Sequence, residues 1–322
     1  MPRRTHRRHR AGRLLLLWLL LVLVAGCSGS GRSAEPAGTP TRPGDRVAGA
    51  AAGPVVAIAG DIAGEQREDS ETARLVEAID PDYVLTAGDN AYPDGTASDY
   101  QRYDATWGRF KDKTYPAPGN HDYHDEAGDP PYYYTYFADR LPRENHGEYY
   151  AFDVGSWRVY SLNCEISCSE SSDQARWLAD DLATAGDGRH KMAYLHRPRY
   201  SCGTHGSSDE PAALWDVLLE ARTDLVVAGH DHNYQRYPRM DSDGARTDDG
   251  IVSFVAGTGG KSFYEISGEE SEEGCPLARR HVDDRFGVLR LTLGRNSFGW
   301  AMIAVPNTVL DSGTTPTLDR LP

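Results

Sequence analysis

The chain has few basic residues for its length. It contains 34 lysines and arginines against 48 aspartates and glutamates among 322 residues, a formal net charge of −14 at pH 7. A protein that binds nucleic acid through a broad basic surface neutralises phosphates with such residues. The composition therefore excludes nucleic-acid binding of this kind. An anionic ligand would have to be attracted by a local positive charge, such as a bound cation.

A long hydrophobic run is also lacking. The apolar run at residues 14–24 is shorter than the roughly 20 residues that a helix needs to cross a bilayer. Residues 1–26 carry six arginines and no acidic residue, and they end just before Cys27, a pattern typical of a bacterial lipoprotein signal. We expect an exported protein with a lipidated Cys27, anchored on the extracytoplasmic face of the cell membrane, or secreted. A permanent membrane anchor helix is the alternative.

The rest of the chain divides by composition. Residues 27–52 are rich in glycine, proline, serine and alanine and predict a flexible tether. We expect a folded domain at residues 53–305 and a peripheral tail without clear periodicity at residues 306–322. Removal of residues 1–26 would leave 28 basic against 48 acidic residues, a net charge of −20.

Few cysteines follow Cys27, and they show no paired C-x-x-C spacing. The four are Cys164, Cys168, Cys202 and Cys275. In an exported protein they predict two disulfides, for which three pairings are possible. We expect Cys164 to pair with Cys168, which leaves Cys202 to tether the acidic segment around Cys275. A zinc site built from all four is the alternative.

Short apolar runs alternate with helical stretches, which predicts an α/β fold. Strands are expected at residues 54–59, 83–87, 149–154, 157–162, 191–195, 224–228, 251–256, 286–293 and 298–304. Helices are expected at residues 71–80, 172–185 and 211–221.

Five polar motifs follow predicted strands or short apolar segments, four of them with a glycine in front. They are Gly60-Asp61, Gly88-Asp89-Asn90-Ala91-Tyr92, Gly119-Asn120-His121-Asp122, the lone His196, and Gly229-His230-Asp231-His232. Ligands of open α/β sheets bind at the carboxyl ends of the strands, so these side chains are expected to converge at one edge. Oxygen and imidazole donors suit hard and borderline metal ions. The combination predicts an enzyme with two metal ions.

These motifs resemble the calcineurin-like metallophosphoesterase superfamily, and specifically its purple acid phosphatase branch, over residues 55–298. Many members of the superfamily carry a histidine two residues after the first aspartate, where this chain has Ala63. Tyr92, three residues after Asp89, stands where the purple enzymes place a metal-bound tyrosinate. The resemblance implies a four-layer αββα sandwich of two mixed sheets flanked by helices, with the metal site at the carboxyl-terminal edge of the strands.

The resemblance also implies the metals and their ligands. One ion, Fe(III), would be held by Asp61, Tyr92 and His232. The other, a divalent ion such as Zn, Fe or Mn, would be held by Asn120, His196 and His230. Asp89 would bridge the two. Carboxylate and phenolate are hard anionic donors that suit a trivalent ion, and imidazole suits a divalent one.

The implied activity is that of a binuclear phosphoric ester hydrolase, an acid phosphatase-like phosphomonoesterase that uses a metal-bound hydroxide on a small phosphate ester. His121 and His205 are the candidate catalytic residues that would protonate the leaving group. One alternative is a phosphodiesterase acting on nucleotides, glycerophosphodiesters or cell-wall polymers. Another is a surface metal-binding protein without turnover. The glycine-rich turn at residues 257–260 lacks the spacing of a nucleotide-binding loop and is expected to be structural.

Overall fold

The computed structural model describes residues 52–66, 68–184, 189–266 and 278–318. In chain order the strands are β1 (Val55–Ala59), β2 (Tyr83–Ala87), β3 (Thr114–Ala117), β4 (Tyr150–Val154), β5 (Trp157–Ser161), β6 (His190–Leu195), β7 (Leu225–Ala228), β8 (Tyr234–Met240), β9 (Ile251–Ala256), β10 (Arg280–Val282), β11 (Gly287–Leu293), β12 (Ser297–Ala304) and β13 (Thr308–Pro316). The α-helices are α1 (Asp69–Ile79), α2 (Ala97–Asp104), α3 (Tyr132–Tyr136), α4 (Asp173–Thr184) and α5 (Ala212–Glu220).

The strands form two mixed sheets. The first has the order β13-β12-β11-β1-β2-β3, and the second has the order β10-β8-β9-β7-β6-β5-β4. β1, β2 and β3 run parallel to one another, while β11 is antiparallel to β1. In the second sheet β5, β6, β7 and β9 run parallel, and β4 and β8 are antiparallel to their neighbours.

The alternation of side chains along each strand builds four layers. Val56 and Ile58 of β1 pack with Met192 and Tyr194 of β6 in a core between the sheets. The intervening residues of β1 pack outward against α1, α2 and α3, and those of β6 pack outward against α4 and α5. Successive residues of a strand point to opposite faces, so continuously apolar strands fit this doubly covered position. The predicted fold, two mixed sheets with flanking helices, is confirmed.

The C-terminal stretch differs from the expectation. Residues 306–322 were expected to be a peripheral tail, but Thr308–Pro316 forms β13, which pairs antiparallel with β12 along its length. The folded unit therefore extends beyond residue 305. The sequence of β13 does not show the alternation of apolar and polar residues typical of a strand, because β13 is an edge strand with several polar and exposed residues.

The sequence also did not predict strands β3, β8 and β10 or helices α2 and α3. Helix α2 begins at a capping box in which Thr96 accepts a hydrogen bond from the backbone of Asp99, and Asp99 accepts one from the backbone of Thr96. Strand β8 contains two arginines and a proline among its seven residues, so it lacks an apolar run.

The cysteines follow the predicted pattern where the structure describes them. Cys164 and Cys168 are joined in a disulfide, and Cys202 is also disulfide-bonded. The alternative of a zinc site formed by all four cysteines is therefore wrong. Cys275 and Cys27, as well as the apolar run at residues 14–24, lie outside the described residues. Within the described ranges, no helix has both the length and the apolar character needed to cross a membrane.

Candidate metal centre

The loops that follow β1 and β2 run side by side and fix the first two carboxylates. The backbone N–H of Asp61 donates to Gly88 O at 3.1 Å, and that of Ile62 donates to Asp89 O at 3.0 Å. Asp61 and Asp89 both adopt positive φ, 59° and 50°, which is uncommon for residues other than glycine. Both side chains are buried. The strained turns therefore hold two carboxylates together at the carboxyl ends of neighbouring parallel strands.

The phenol oxygen of Tyr92 lies at the centre of one half of the site. It is 2.9 Å from Asp61 Oδ1, 2.7 Å from Asp89 Oδ2 and 3.1 Å from His232 Nε2. His232 Nε2 is itself 3.2 Å from Asp61 Oδ1. The four side chains predicted for the first metal, including the bridging Asp89, are thus brought together.

His196 lies at the centre of the other half. Its Nε2 is 3.2 Å from Asn120 Oδ1, 3.1 Å from His230 Nδ1 and 3.3 Å from Asp89 Oδ2. Asp89 Oδ2 therefore lies between Tyr92 and His196, the place of an oxygen shared by two neighbouring sites. Asp61, Asp89 and His196 offer ligand atoms that all lie within 4.8 Å of one another.

Hydrogen bonds outside the cluster orient these ligands. His196 Nδ1 donates to Ala87 O at 2.9 Å, because a carbonyl oxygen can only accept. The backbone N–H of His230 donates to Asp61 Oδ2 at 2.9 Å, and that of His121 donates to Asp89 Oδ1 at 2.8 Å. Each carboxylate thus has one oxygen fixed by backbone and the other turned into the cluster. Such outer hydrogen bonds orient ligands in metal sites.

The cluster is electrically negative. Burial acts to lower the pKa of His196, but the charges of Asp89 and Asp61 overcome it and raise that pKa to about 10. Burial, together with the neighbouring His196, lowers the pKa of His230 to about 3. Burial and the two carboxylates raise the pKa of Tyr92 well above its usual range. Protein groups alone therefore disfavour the tyrosinate, and only an added positive charge can reverse that preference.

The donor atoms fit a metal ion. With its Nδ1 hydrogen donated to a carbonyl, neutral His196 turns a lone pair toward the acceptor oxygens Asn120 Oδ1 and Asp89 Oδ2. Acceptors that face one another at such distances need a cation between them, either a proton or a metal. A metal ion would satisfy all of these lone pairs at once.

Two glycines allow the close approach of these loops. A Cβ atom on Gly119 would lie 2.3 Å from Asp89 Oδ1. One on Gly229 would lie 2.5 Å from Ala87 O and 2.8 Å from Asp61 Oδ2. Any side chain at either position would displace a carboxylate, which explains why glycine precedes the candidate ligands.

The two candidate catalytic histidines flank opposite halves of the cluster. His121 packs on the Tyr92 ring with centroids 4.3 Å apart, and its Nδ1 donates to Pro93 O. Its Nε2 is left 3.9 Å from Asp89 Oδ2. His205 is exposed and stacks on His230 with centroids 4.2 Å apart. Both rings therefore lie at the rim of the cluster.

Two buried aspartates that hold the site together were not predicted from the sequence. Asp122 Oδ2 accepts hydrogen bonds from the backbone of Asn90 and Gly119, which ties together the loops after β2 and β3. Asp231 Oδ1 accepts the backbone N–H of His205 at 2.9 Å and so holds the loop that carries this histidine. Both aspartates lie within the glycine-led motifs, close to candidate ligands in the sequence. That position is the feature from which their role could have been predicted.

Comparison with known proteins defines the class. The family model of the calcineurin-like phosphoesterases matches residues 54–234, more than half of the chain. The protein therefore belongs to the calcineurin-like phosphoesterase family. The family expected from the motifs is confirmed.

Relatives within the family include plant purple acid phosphatases, which supports the expected branch. Purple acid phosphatase 15 of Arabidopsis thaliana is 29% identical over 221 residues, which cover 58% of this chain and 41% of that protein. Purple acid phosphatase 23 of the same plant is 28% identical over 223 residues, 58% of this chain and 48% of that protein. The matched region thus spans less than half of either relative.

A solved structure shows the same fold. The purple acid phosphatase PPD1 from yellow lupin (Lupinus luteus) seeds superposes with a TM-score of 0.64 at 20% identity, covering 82% of this chain and 54% of that chain.

Proposed function

We propose that this protein is a binuclear metal-dependent phosphoric ester hydrolase of the acid phosphatase type that acts on monoesters of small molecules. The observation that carries the proposal is the position of Asp89 Oδ2, 2.7 Å from the Tyr92 oxygen and 3.3 Å from His196 Nε2. One carboxylate oxygen shared by a group that contains a phenol and a second carboxylate and by a group that contains two imidazoles and an amide suits two dissimilar ions. We propose Fe(III) on the Tyr92 side and divalent Zn, Fe or Mn on the His196 side.

Two cations at this position would neutralise the charge of a phosphoryl group and activate water as the nucleophile. Side chains of the protein would supply the proton for the leaving group. His121 has its Nδ1 hydrogen committed to Pro93 O and its Nε2 3.9 Å from Asp89 Oδ2, so in its imidazolium form it would give the Nε2 proton to a leaving oxygen and become neutral imidazole. The imidazole of His205 stacks on that of His230, at the half of the cluster opposite to His121. Asp231 keeps His205 there by accepting its backbone N–H.

The test is hydrolysis of para-nitrophenyl phosphate and of its bis ester by protein loaded with iron and, in turn, zinc or manganese. We expect turnover of the monoester, and metal analysis should find about two ions per chain, the stoichiometry of two-metal sites. A preference for the diester would change the substrate class to phosphodiesters. Absence of turnover on both esters at full metal occupancy would overturn the proposed activity in favour of a metal-binding role.

We also propose that the protein is exported and anchored by a lipid on Cys27. The Cys164–Cys168 disulfide supports this, because such bonds persist mainly in oxidising compartments outside the cytoplasm. Full-length protein expressed in a bacterium and labelled with radioactive palmitate should carry the label in the membrane fraction. Cys27→Ser should lose the label and leave the membrane fraction. An unlabelled wild-type protein would contradict the lipid anchor.

A further inference from the structure

The segment that follows the glycine-rich turn contacts the Tyr92 half of the cluster at several points. We call residues 259–264 the support segment. Its Lys261 N–H donates to Asp61 O at 3.0 Å, and its Ser262 Oγ is 2.7 Å from His232 Nδ1. Its Tyr264 ring stacks on His232 with centroids 3.9 Å apart and planes at 10°. The support segment thus reaches two of the candidate ligands of one metal.

The same segment also reaches the third candidate ligand. The ammonium of Lys261 lies over the Tyr92 ring, 4.9 Å from its centroid. Within the described ranges, Lys261 Nζ has no ion pair and no hydrogen bond, so the cation–π contact with the Tyr92 ring is the specific interaction of this ammonium. Tyr92 is buried, with 1% of its surface exposed. A cation over a desolvated aromatic ring interacts more strongly than one at an exposed site.

We propose that Lys261 is a positioning residue for the Tyr92 half of the centre, and that its charge over the ring sets the energy of tyrosine-to-iron charge transfer. The inference rests on the proposed function, since it requires Fe(III) on Tyr92. Charge transfer removes electron density from the phenolate, and a nearby positive charge stabilises that density before it leaves. The ammonium therefore raises the transition energy and moves the visible absorption band to shorter wavelength.

The test is the visible spectrum of the iron-loaded full chain. In Lys261→Met, which keeps the bulk and removes the charge, the band should move by roughly 5–20 nm to longer wavelength, the size expected of one cation–π contact. Lys261→Gln is a second neutral variant in case the first does not fold. Lys261→Arg, which keeps the charge, should absorb close to the wild type.

Lys111→Met is a matched control, because Lys111 Nζ lies 4.6 Å from the ring centroid of Tyr136, away from the candidate ligands. Its spectrum should equal that of the wild type. An unchanged band in both neutral Lys261 variants would overturn the inference while the proposed centre stands. An equal shift in Lys261→Arg would assign the effect to packing and also overturn it. A colourless iron-loaded wild type would overturn the Tyr92–iron centre and this inference together.

Discussion

The two oxygens of Asp89 have separate tasks. Oδ1 accepts the backbone N–H of His121 at 2.8 Å, while Oδ2 faces Tyr92 and His196. Burial acts to raise the pKa of Asp89, but the charge and hydrogen bond of His196 overcome it and hold that pKa below its usual range. The side chain is therefore an anion at any working pH of the protein, as a bridging ligand must be.

Asp89→Asn should abolish turnover. An amide keeps the size of the side chain but removes the negative charge and turns either an NH₂ group or a neutral oxygen toward the cluster. We expect kcat to fall by about 10³-fold or more, comparable to the loss of a principal electrostatic group in an active site. The measurement is hydrolysis of para-nitrophenyl phosphate, with circular dichroism as the check on folding.

Asp173→Asn is the control for this substitution, because the side chain of Asp173 is 88% exposed at the start of a helix. It should leave kcat unchanged. Retained turnover in Asp89→Asn would exclude a bridging role for this carboxylate.

Tyr92→Phe should bleach the iron-loaded protein. The protein groups around Tyr92 raise its pKa, so its phenolate depends on an added cation, and the visible band depends on that phenolate. We expect the visible charge-transfer band to disappear with Phe, since the aromatic ring is kept and only the donor oxygen of the metal site is lost.

Tyr136→Phe is the matched control for Tyr92→Phe. Tyr136 also donates its hydroxyl to a carboxylate, Asp104 Oδ1, but it lies in the aromatic cluster of α2 and α3. The colour should remain. A coloured Tyr92→Phe protein would show that another group carries the charge transfer.

At the scale of elements, β13 joins the two sheets as well as ending the first. Asp311 of β13 accepts hydrogen bonds from Arg236 Nε at 2.7 Å and from Tyr234 OH at 2.8 Å, and both donors belong to β8 of the second sheet. Arg236 also lies over the Trp300 ring, 5.1 Å from its centroid. The last strand is therefore fastened by a largely buried ion pair across the sandwich.

Asp311→Ala should lower the free energy of unfolding by about 1–3 kcal/mol at pH 7, because it leaves the buried donors of Arg236 and Tyr234 without an acceptor. Urea unfolding measures the difference. Asp173→Ala breaks an exposed ion pair with Arg176 and should change stability by less than about 0.5 kcal/mol. Equal stability of Asp311→Ala and the wild type would contradict the fastening role of β13.

The contribution of Asp311 should also depend on pH. Burial acts to raise its pKa, but Arg236 and Tyr234 overcome it, so the pKa in the folded protein lies below the ordinary 3.8. For a depressed carboxyl pKa, the stabilisation is complete above the unfolded pKa and is lost as pH falls through the folded pKa. The difference between wild type and Asp311→Ala should therefore be constant from pH 7 to about 5 and shrink below 3.8. A difference that grows on acidification would contradict this.

The sequence predicted best the strands that are buried on both faces of a sheet. β2 and β9 match their expected bounds to the residue, and most of the other expected strands and helices agree within one or two residues. Their apolar runs are continuous because both faces are covered. β8 and β13 were missed because each lies at or near a sheet edge, where polar and partly exposed residues interrupt the apolar pattern.

At the scale of the whole molecule, the sequence could predict that the candidate ligands meet at one edge of the sheets. It could not predict the residues that hold those ligands in place. Parallel strands put their carboxyl ends at one edge, so glycine followed by a donor was a sufficient signal for Asp61, Asp89 and His230. The contacts of Lys261 with Asp61 and Tyr92 join residues about 170 to 200 positions apart and have no local pattern. The roles of the seven candidate ligands and of both histidines remain predictions.

Removal of metal should destabilise the whole molecule. Asp61 and Asp89 are buried side by side, and each raises the pKa of Tyr92 between them. An ion present at 100 times its dissociation constant adds about 2.7 kcal/mol to stability. Chelator-treated protein should therefore melt several degrees lower than loaded protein, and metal should restore the difference. In Asp89→Asn the difference in melting temperature between loaded and chelator-treated protein should be smaller. If the chelator does not change the melting temperature of the wild type, that result would argue against bound ions.

The donors also have an order along the chain. The oxygen donors follow β1, β2 and β3 of the first sheet, and the nitrogen donors follow β6 and β7 of the second. Of the candidate metal ligands, a nascent chain that ends before residue 190 thus contains only those with carboxylate, phenol and amide oxygens, a set that suits magnesium or calcium. The candidate imidazole ligands, which suit iron or zinc better than magnesium or calcium, come only from the loops after β6 and β7. We therefore expect discrimination against magnesium and calcium to require strands of both sheets.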